Sequence, residues 1–152
     1  MKKPKTLKTL ASAMLMCGIL WSIFFTGCAD VMFEPKPLEM QARGITLAKG
    51  TPYNCKILGE VEGKDSPEQR VGATREKLRE SAMNELRNEA YYAMGQNKRA
   101  ILHITKEIVL CTKWVGGSLS GSLKTVDCTN ETSTYNIMSY RIHAQVFDCG
   151  ER

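Results

Sequence analysis

Four cysteines, Cys55, Cys111, Cys128 and Cys149, constrain the fold of this chain more than any other feature. In a reducing compartment they would be packing residues, ligands or nucleophiles; in an oxidising one an even number reads as disulfide bridges. Their spacing leaves several chemistries without a motif. There is no C-x-x-C for thioredoxin-type exchange, no C-x-x-C-H for haem attachment, and no histidine at zinc-finger distance from a cysteine pair. The two other cysteines, Cys17 and Cys28, stand near the N-terminus.

The N-terminus indicates the compartment. Lys2, Lys3, Lys5 and Lys8 form a positive segment with no acid before Asp30. An apolar run follows over residues 10–25, interrupted only by Ser12, Cys17, Gly18 and Ser22. As a helix it would span about 24 Å, short of the roughly 20 residues that a bilayer-crossing helix needs. Residues 1–27 therefore read as a secretory signal. Its end, Phe25-Thr26-Gly27-Cys28, resembles the lipobox of bacterial lipoproteins, departing from it at Phe25, where an aliphatic residue is usual. The resemblance implies that Cys28 is diacylated and becomes the mature N-terminus, held in the membrane by chains whose contributions add. Under the sorting rule of that family, Ala29 in place of Asp directs the protein to the outer membrane. The other readings are an uncleaved anchor or a plain secreted protein with a chance cysteine.

Export also changes the charge balance. The whole chain carries 21 Lys and Arg against 16 Asp and Glu, a net +5. Four of those lysines lie in the signal, so the chain from Cys28 onward is close to neutral. It has no basic run and no recognisable nucleic-acid motif, so nucleic acid is not an expected partner. Its length suits one small domain.

Residues 28–52 carry Pro35, Pro37, Gly44, Gly50 and Pro52 among scattered charges and read as a lipid-anchored tether, with Ile45 and Leu47 able to form a short strand. The periplasmic domain is expected over residues 53–150. Lys56 to Glu62 alternates and is predicted to be a strand. Ser66-Pro67-Glu68-Gln69 has the form of a capping box, although Gly72 also allows a main helix starting near Ala73. Leu78, Ala82, Leu86, Ala90 and Ala93, with Met83, recur at helical spacing opposite Arg75, Glu76, Lys77, Arg79, Glu80, Arg87 and Glu89. Those charges read as a solvated face, and Gly95 as the helix stop. Residues 100–111 read as a buried strand and 135–148 as a half-buried one, with Met138, Tyr140, Ile142, Ala144 and Val146 on the inner face. Between them lies the flexible loop Gly116-Gly117-Ser118-Leu119-Ser120-Gly121.

The order is β-α-β-β, an α+β domain with one helix on a mixed sheet of three strands, or four if the Ile45–Leu47 segment joins. The crossover makes the first two strands parallel and the third returns antiparallel. Cys55 opens the first strand and Cys149 closes the last, whereas Cys111 and Cys128 meet at the other end of the sheet. The expected bridges are Cys55–Cys149 and Cys111–Cys128. They close loops of about 95 and about 18 residues, each contributing some 3–5 kcal/mol in the loop-entropy model.

The stretches Tyr53-Asn54-Cys55-Lys56-Ile57-Leu58-Gly59-Glu60-Val61, Leu86-Arg87-Asn88-Glu89-Ala90 before Gly95-Gln96-Asn97, and Tyr140-Arg141-Ile142-His143-Ala144-Gln145-Val146-Phe147-Asp148-Cys149 resemble a family of short Gram-negative lipoproteins without assigned function. A more distant similarity, to which Asp65-Ser66-Pro67 adds, is to RcsF-type outer-membrane stress-sensor lipoproteins. That likeness implies a lipidated cysteine, a proline-bearing linker and a helix-plus-sheet domain with two disulfides. The linker here is shorter and less basic. Disulfides interleave in that family, so the resemblance brings in Cys55–Cys128 with Cys111–Cys149 as the other connectivity.

Catalytic signals are sparse. His103 and His143, on two neighbouring strands, are the candidate metal ligands, but two ligands without carboxylates make a poor site and exposed strand histidines are the plainer reading. No Ser-His-Asp arrangement is legible, and Gly117-Ser118-Leu119-Ser120-Gly121 has Leu119 where a nucleophile elbow needs serine. No phosphate loop, dinucleotide fingerprint or cofactor motif is present. Trp114 and Tyr135 flank the loop. The sequence thus points to a non-catalytic envelope protein, bound to a membrane through Cys28 and acting on another envelope protein, as a sensor or an assembly accessory. The alternatives are thiol-redox or metal-handling work by Cys111 and Cys128 or the two histidines, and a surface-displayed module for host or glycan ligands.

Overall fold

The computed structural model describes residues 31–94, 100–117, 120–131 and 136–150. The signal segment, Cys28, Gly95, Ser118, Leu119 and Tyr135 lie outside the described residues. The elements are a 3-10 turn at Gln41–Gly44, β1 at Thr46–Ala48, β2 at Lys56–Asp65, α1 at Arg75–Met94, β3 at Ala100–Val115, β4 at Ser122–Asp127 and β5 at Asn136–Asp148. The sheet runs β1-β3-β5-β2, with β4 also on β3. One helix on a mixed sheet, with two disulfides, is the expected architecture. Two short strands extend it to five. One is β1, parallel to β3 with Leu47 opposite Leu102, and the other is β4.

β5 lies between β2 and β3 and is antiparallel to both. β2 and β3 therefore point the same way, as a helical crossover requires, but are not neighbours. The central place suits the sequence of β5: Tyr140, Ile142, Ala144 and Val146 are buried under α1, while Ser139, Arg141, His143 and Gln145 lie on the other face. Met138, expected among the inner residues, is exposed, because the register slips at Leu110/Cys111 where β5 begins.

The helix starts later than its capping box proposed. Glu68 and Gln69 both take left-handed backbone angles, φ 47° and 65°, which no helix start can use. Thr74 is the actual cap: its carbonyl accepts the Leu78 amide at 3.0 Å, and its hydroxyl accepts the Lys77 amide at 3.3 Å. Leu78, Ala82, Leu86 and Ala90 are fully buried, and the stripe continues to Met94 rather than Ala93, which is exposed. Small residues bring the layers close together. A Cβ on Gly63 of β2 would run into the Ala82 carbonyl and lie 2.6 Å from the Leu86 amide nitrogen.

The stretch read as a tether does not hang free. Phe33, Ala42 and Ile45 are buried in the core. The chain lies along α1 as a strap, held by polar side chains of the helix. Ser81 Oγ accepts the Lys36 amide at 2.8 Å, and Asn88 Oδ1 accepts the Glu39 amide at 3.0 Å. Asn84 and Asn88 donate to the carbonyls of Lys36 and Pro37, and Arg87 to that of Ile45. Ahead of this, Phe33 donates to the Val71 carbonyl at 2.8 Å and its ring lies 4.5 Å from the Arg70 guanidinium carbon. Prolines and glycines gave these residues a coil-like composition, but extended chain that cannot pair in the sheet is still ordered when side chains satisfy its main-chain groups. The folded domain thus begins well ahead of residue 53.

Candidate functional site

The cysteines pair as Cys55–Cys149 and Cys111–Cys128. This is the arrangement expected from the ends of the strands, not the interleaved one. The first joins the start of β2 to the end of β5 beside an open cleft of about 890 Å³ lined by Thr46, Tyr53 and Asn54. The second fastens β3 to the segment after β4, and both its sulfurs belong to buried residues. A thiolate nucleophile would have no approach to this bridge, which limits exchange chemistry there.

His103 and His143 share the face of the sheet away from α1 but are not opposite one another. His103 is in register with Gln145, and His143 with Lys106 across a bulge at Ile104/Lys106. His143 Nδ1 lies 3.8 Å from Glu62, whereas the Nδ1 of His103 is covered and makes no hydrogen bond within the described structure. Among the described residues no group of three His, Cys, Asp or Glu side chains is placed to hold a metal ion.

Two polar clusters escaped the sequence reading. In the first, Ser81, fully buried on α1, donates to Asp65 at the end of β2 while accepting from the strap. Asp65 also accepts the Ser66 amide at 2.7 Å and faces Arg70 at 3.5 Å. This ties strap, sheet and helix at one buried carboxylate. In the second, the Arg79 guanidinium grips Glu107 with two bonds of 2.8 and 3.1 Å, and the Tyr140 hydroxyl donates to the same carboxylate. The Arg79 bond, helped by Tyr140, holds Glu107 below the usual carboxylate range against the opposing effect of burial, and Arg79 is raised in return. Burial, reinforced by the Glu107 bond, pushes Tyr140 up to about 12. Each shift moves its group away from neutral pH. These three residues act as a clamp between α1, β3 and β5. Arg75 ties the start of α1 to the carbonyls of Cys128, Thr129 and Glu131. The helix charges read as an idle solvated face thus include three arginines, 75, 79 and 87, that fasten other elements to α1.

The most exposed apolar feature of the sheet is at the far end of β3. Trp114 stands opposite Leu123 of β4, and the two are 53% and 66% exposed. Gly121 lies under the indole, since a Cβ there would overlap the ring. Among the described residues no helix is long and apolar enough to cross a membrane.

A family model described as Domain of unknown function (DUF4156) matches residues 36–149, a span that starts within the strap and ends at the last cysteine. Neither the curated proteins nor the solved structures include a match to the chain.

Proposed function

The chain belongs to the DUF4156 family, and from that premise we propose that it is a lipid-anchored envelope protein that works by binding another envelope protein. Cys28 is the anchored residue, and the outer membrane is the destination favoured by Ala29. The observation that carries the binding part is the free edge of the sheet. Among the described residues the ten-residue β2 has β5 as its one strand partner, and its main chain at Lys64 is bonded to the Glu85 and Lys36 side chains. A strand edge offers unpaired main-chain groups that a partner segment can extend, with alternate side chains setting specificity. Along β2 two acids, Glu60 and Glu62, stand between Lys56 and Lys64, a pattern that suits a charged extended segment better than indiscriminate strand pairing. A sensor or assembly role is the finer form of this reading. The stacked disulfides differ from the interleaved pattern of the RcsF-type sensors, so that likeness adds nothing to it. Thiol-redox or metal-handling work, the rival reading, gains no support from the buried Cys111–Cys128 bridge or the offset histidines.

The test is site-specific photocrosslinking in cells, with a photoreactive side chain in place of Glu60 and a control at Glu80 on the helix. A discrete protein adduct is expected at position 60 and not at position 80. A domain that stays uncrosslinked at position 60 in resting and stressed envelopes alike would count against the reading.

A further inference from the structure

Among the described residues the hairpin of β3 and β4 continues past the end of β2. β2 ends at Asp65, which is in register with Tyr140, itself in register with Val109. Residues 110–115 continue β3 for roughly 20 Å past that level. Among the described residues the last three pair with β4 and with no other strand, since β5 begins opposite Thr112. Trp114, Val115 and Leu123 therefore form an apolar tip on the last paired residues of the hairpin, just short of its connecting loop, with no third strand beside it among the described residues. Trp114 is fixed on this tip by its fit over Gly121. Lys113 and Lys124 are paired one step back from the tip, Lys113 also bridging to Glu131 at 3.4 Å.

The same end of the sheet is where the described chain begins. Val31 and Phe33 bond to Val71, in the turn that follows β2, and Val31 and Met32 are 66% and 59% exposed. Cys28 precedes Val31 by three residues. A fully extended chain of that length spans at most about 11 Å. If Cys28 is acylated, the described chain starts within that reach of the headgroups, at the end of the sheet that carries the hairpin.

We infer that the Trp114–Leu123 tip is a second, non-covalent membrane contact, seated in the interfacial layer of the bilayer that holds Cys28. The inference rests on the lipoprotein reading and deepens it. Tryptophan favours that layer because its ring is apolar and its N–H can still find water or a headgroup, and lysines set back from an apolar tip lie at phosphate depth. One covalent anchor and one interfacial patch together fix the orientation of the domain, so that β2 is presented to a partner at a defined angle to the membrane.

Fluorescence can test this directly. The chain has two tryptophans, and Trp21 lies in the signal, so the mature protein reports Trp114 alone. The lipoprotein is purified from membranes and reconstituted in phosphatidylethanolamine–phosphatidylglycerol vesicles, some containing lipids brominated near the headgroup. The expected result is a blue-shifted emission, at least twofold protection from acrylamide relative to the unacylated Cys28→Ser form in buffer, and strong quenching by the brominated lipids. Leu123→Asp, at an exposed position that should not disturb folding, is expected to halve that quenching or more. An acylated protein whose Trp114 stays open to acrylamide and unquenched by lipid would overturn the inference alone. Shielding in native membranes but not in vesicles would assign the tip to a protein partner and overturn it too. Mass spectrometry of the same sample separates the two layers: an unacylated Cys28 removes the lipoprotein reading and this inference with it.

Discussion

Gly63 offers the sharpest test of how the helix sits on the sheet. Replacing it with alanine adds one methyl group where the helix backbone already is: 2.6 Å from the Leu86 nitrogen, 2.7 Å from the Leu86 Cβ, and in collision with the Ala82 carbonyl. Ordinary contacts of this type lie near 3.5–4.0 Å, so α1 must lift from β2 by about 1 Å. The helix is not free to lift there, since Ser81 and Glu85 on either side of Ala82 bond to Asp65 and Lys64 of β2. Overpacking of this kind costs typically 1–3 kcal/mol, and the involvement of backbone on the helix side places Gly63→Ala at about 3 kcal/mol. The entropy gained by removing a glycine returns less than about 1 kcal/mol. Gly59→Ala, on the same strand with nothing within 4 Å of the new Cβ, isolates that gain and is expected to be neutral or slightly stabilising. Urea unfolding with intact disulfides reads both. For a domain of total stability near 5–15 kcal/mol, Gly63→Ala should lower the midpoint by at least about 1 M. If the two variants lie within about 0.5 kcal/mol of each other, the close approach of β2 and α1 is not as described.

Ser81→Ala strips the buried Asp65 carboxylate of a donor and the Lys36 amide of its acceptor, so a loss of about 1–3 kcal/mol is expected with faster hydrogen exchange at Lys36; unchanged exchange would mean that the strap is held elsewhere. Tyr140 is raised from 10.0 to about 12, so its contribution is complete below pH 10 and is lost as the unfolded chain ionises first between pH 10 and 12. Denaturant titrations should show stability falling across that window in the wild type and a shallower fall in Tyr140→Phe. Glu107, lowered mainly by Arg79, behaves in the opposite sense: its contribution is present above pH 4.5 and is lost as pH falls below it, a slope that Arg79→Met should flatten. Removing both cysteines of the 94-residue Cys55–Cys149 span should cost nearly 5 kcal/mol, against about 3 kcal/mol for the 17-residue Cys111–Cys128 span, as read by guanidinium unfolding. The reverse order would show that chain entropy is not the main contribution of the bridges.

What could be read from the sequence was what depends on local pattern. The four-residue recurrence of Leu78, Ala82, Leu86 and Ala90, the alternation of β5 and the placement of cysteines at strand ends each follow from spacing alone, and together they led to the helix-on-sheet fold with its bridges. What escaped depends on distant partners. The strap is ordered by Ser81, Asn84, Arg87 and Asn88, some 40–50 residues away, and nothing in Pro35 or Pro37 announces them. β4 lay hidden because Ser122 to Asp127 carries a single apolar residue on each face, Leu123 and Val126, and its pairing with β3 supplies what its burial does not. The capping box failed because Ser66 turns to Glu68 and Asp65 instead of to a helix. The Glu107 clamp was invisible for a similar reason: its glutamate, arginine and tyrosine belong to three elements with no shared motif. For the candidate surfaces, Trp114 was noted beside its loop, but its standing at the end of the sheet where the described chain begins is a product of strand register.

In the proposed arrangement this domain is held to a membrane by lipid on Cys28 and stapled by its other four cysteines. Its most direct test is the intact mass and cysteine map of the protein extracted from membranes and alkylated under denaturing, non-reducing conditions. The expected result is a chain beginning at Cys28, carrying acyl groups, with Cys55 linked to Cys149, Cys111 linked to Cys128 and no alkylated thiol. A chain with an unmodified Cys28, or with Cys111 and Cys128 open to alkylation, would contradict it.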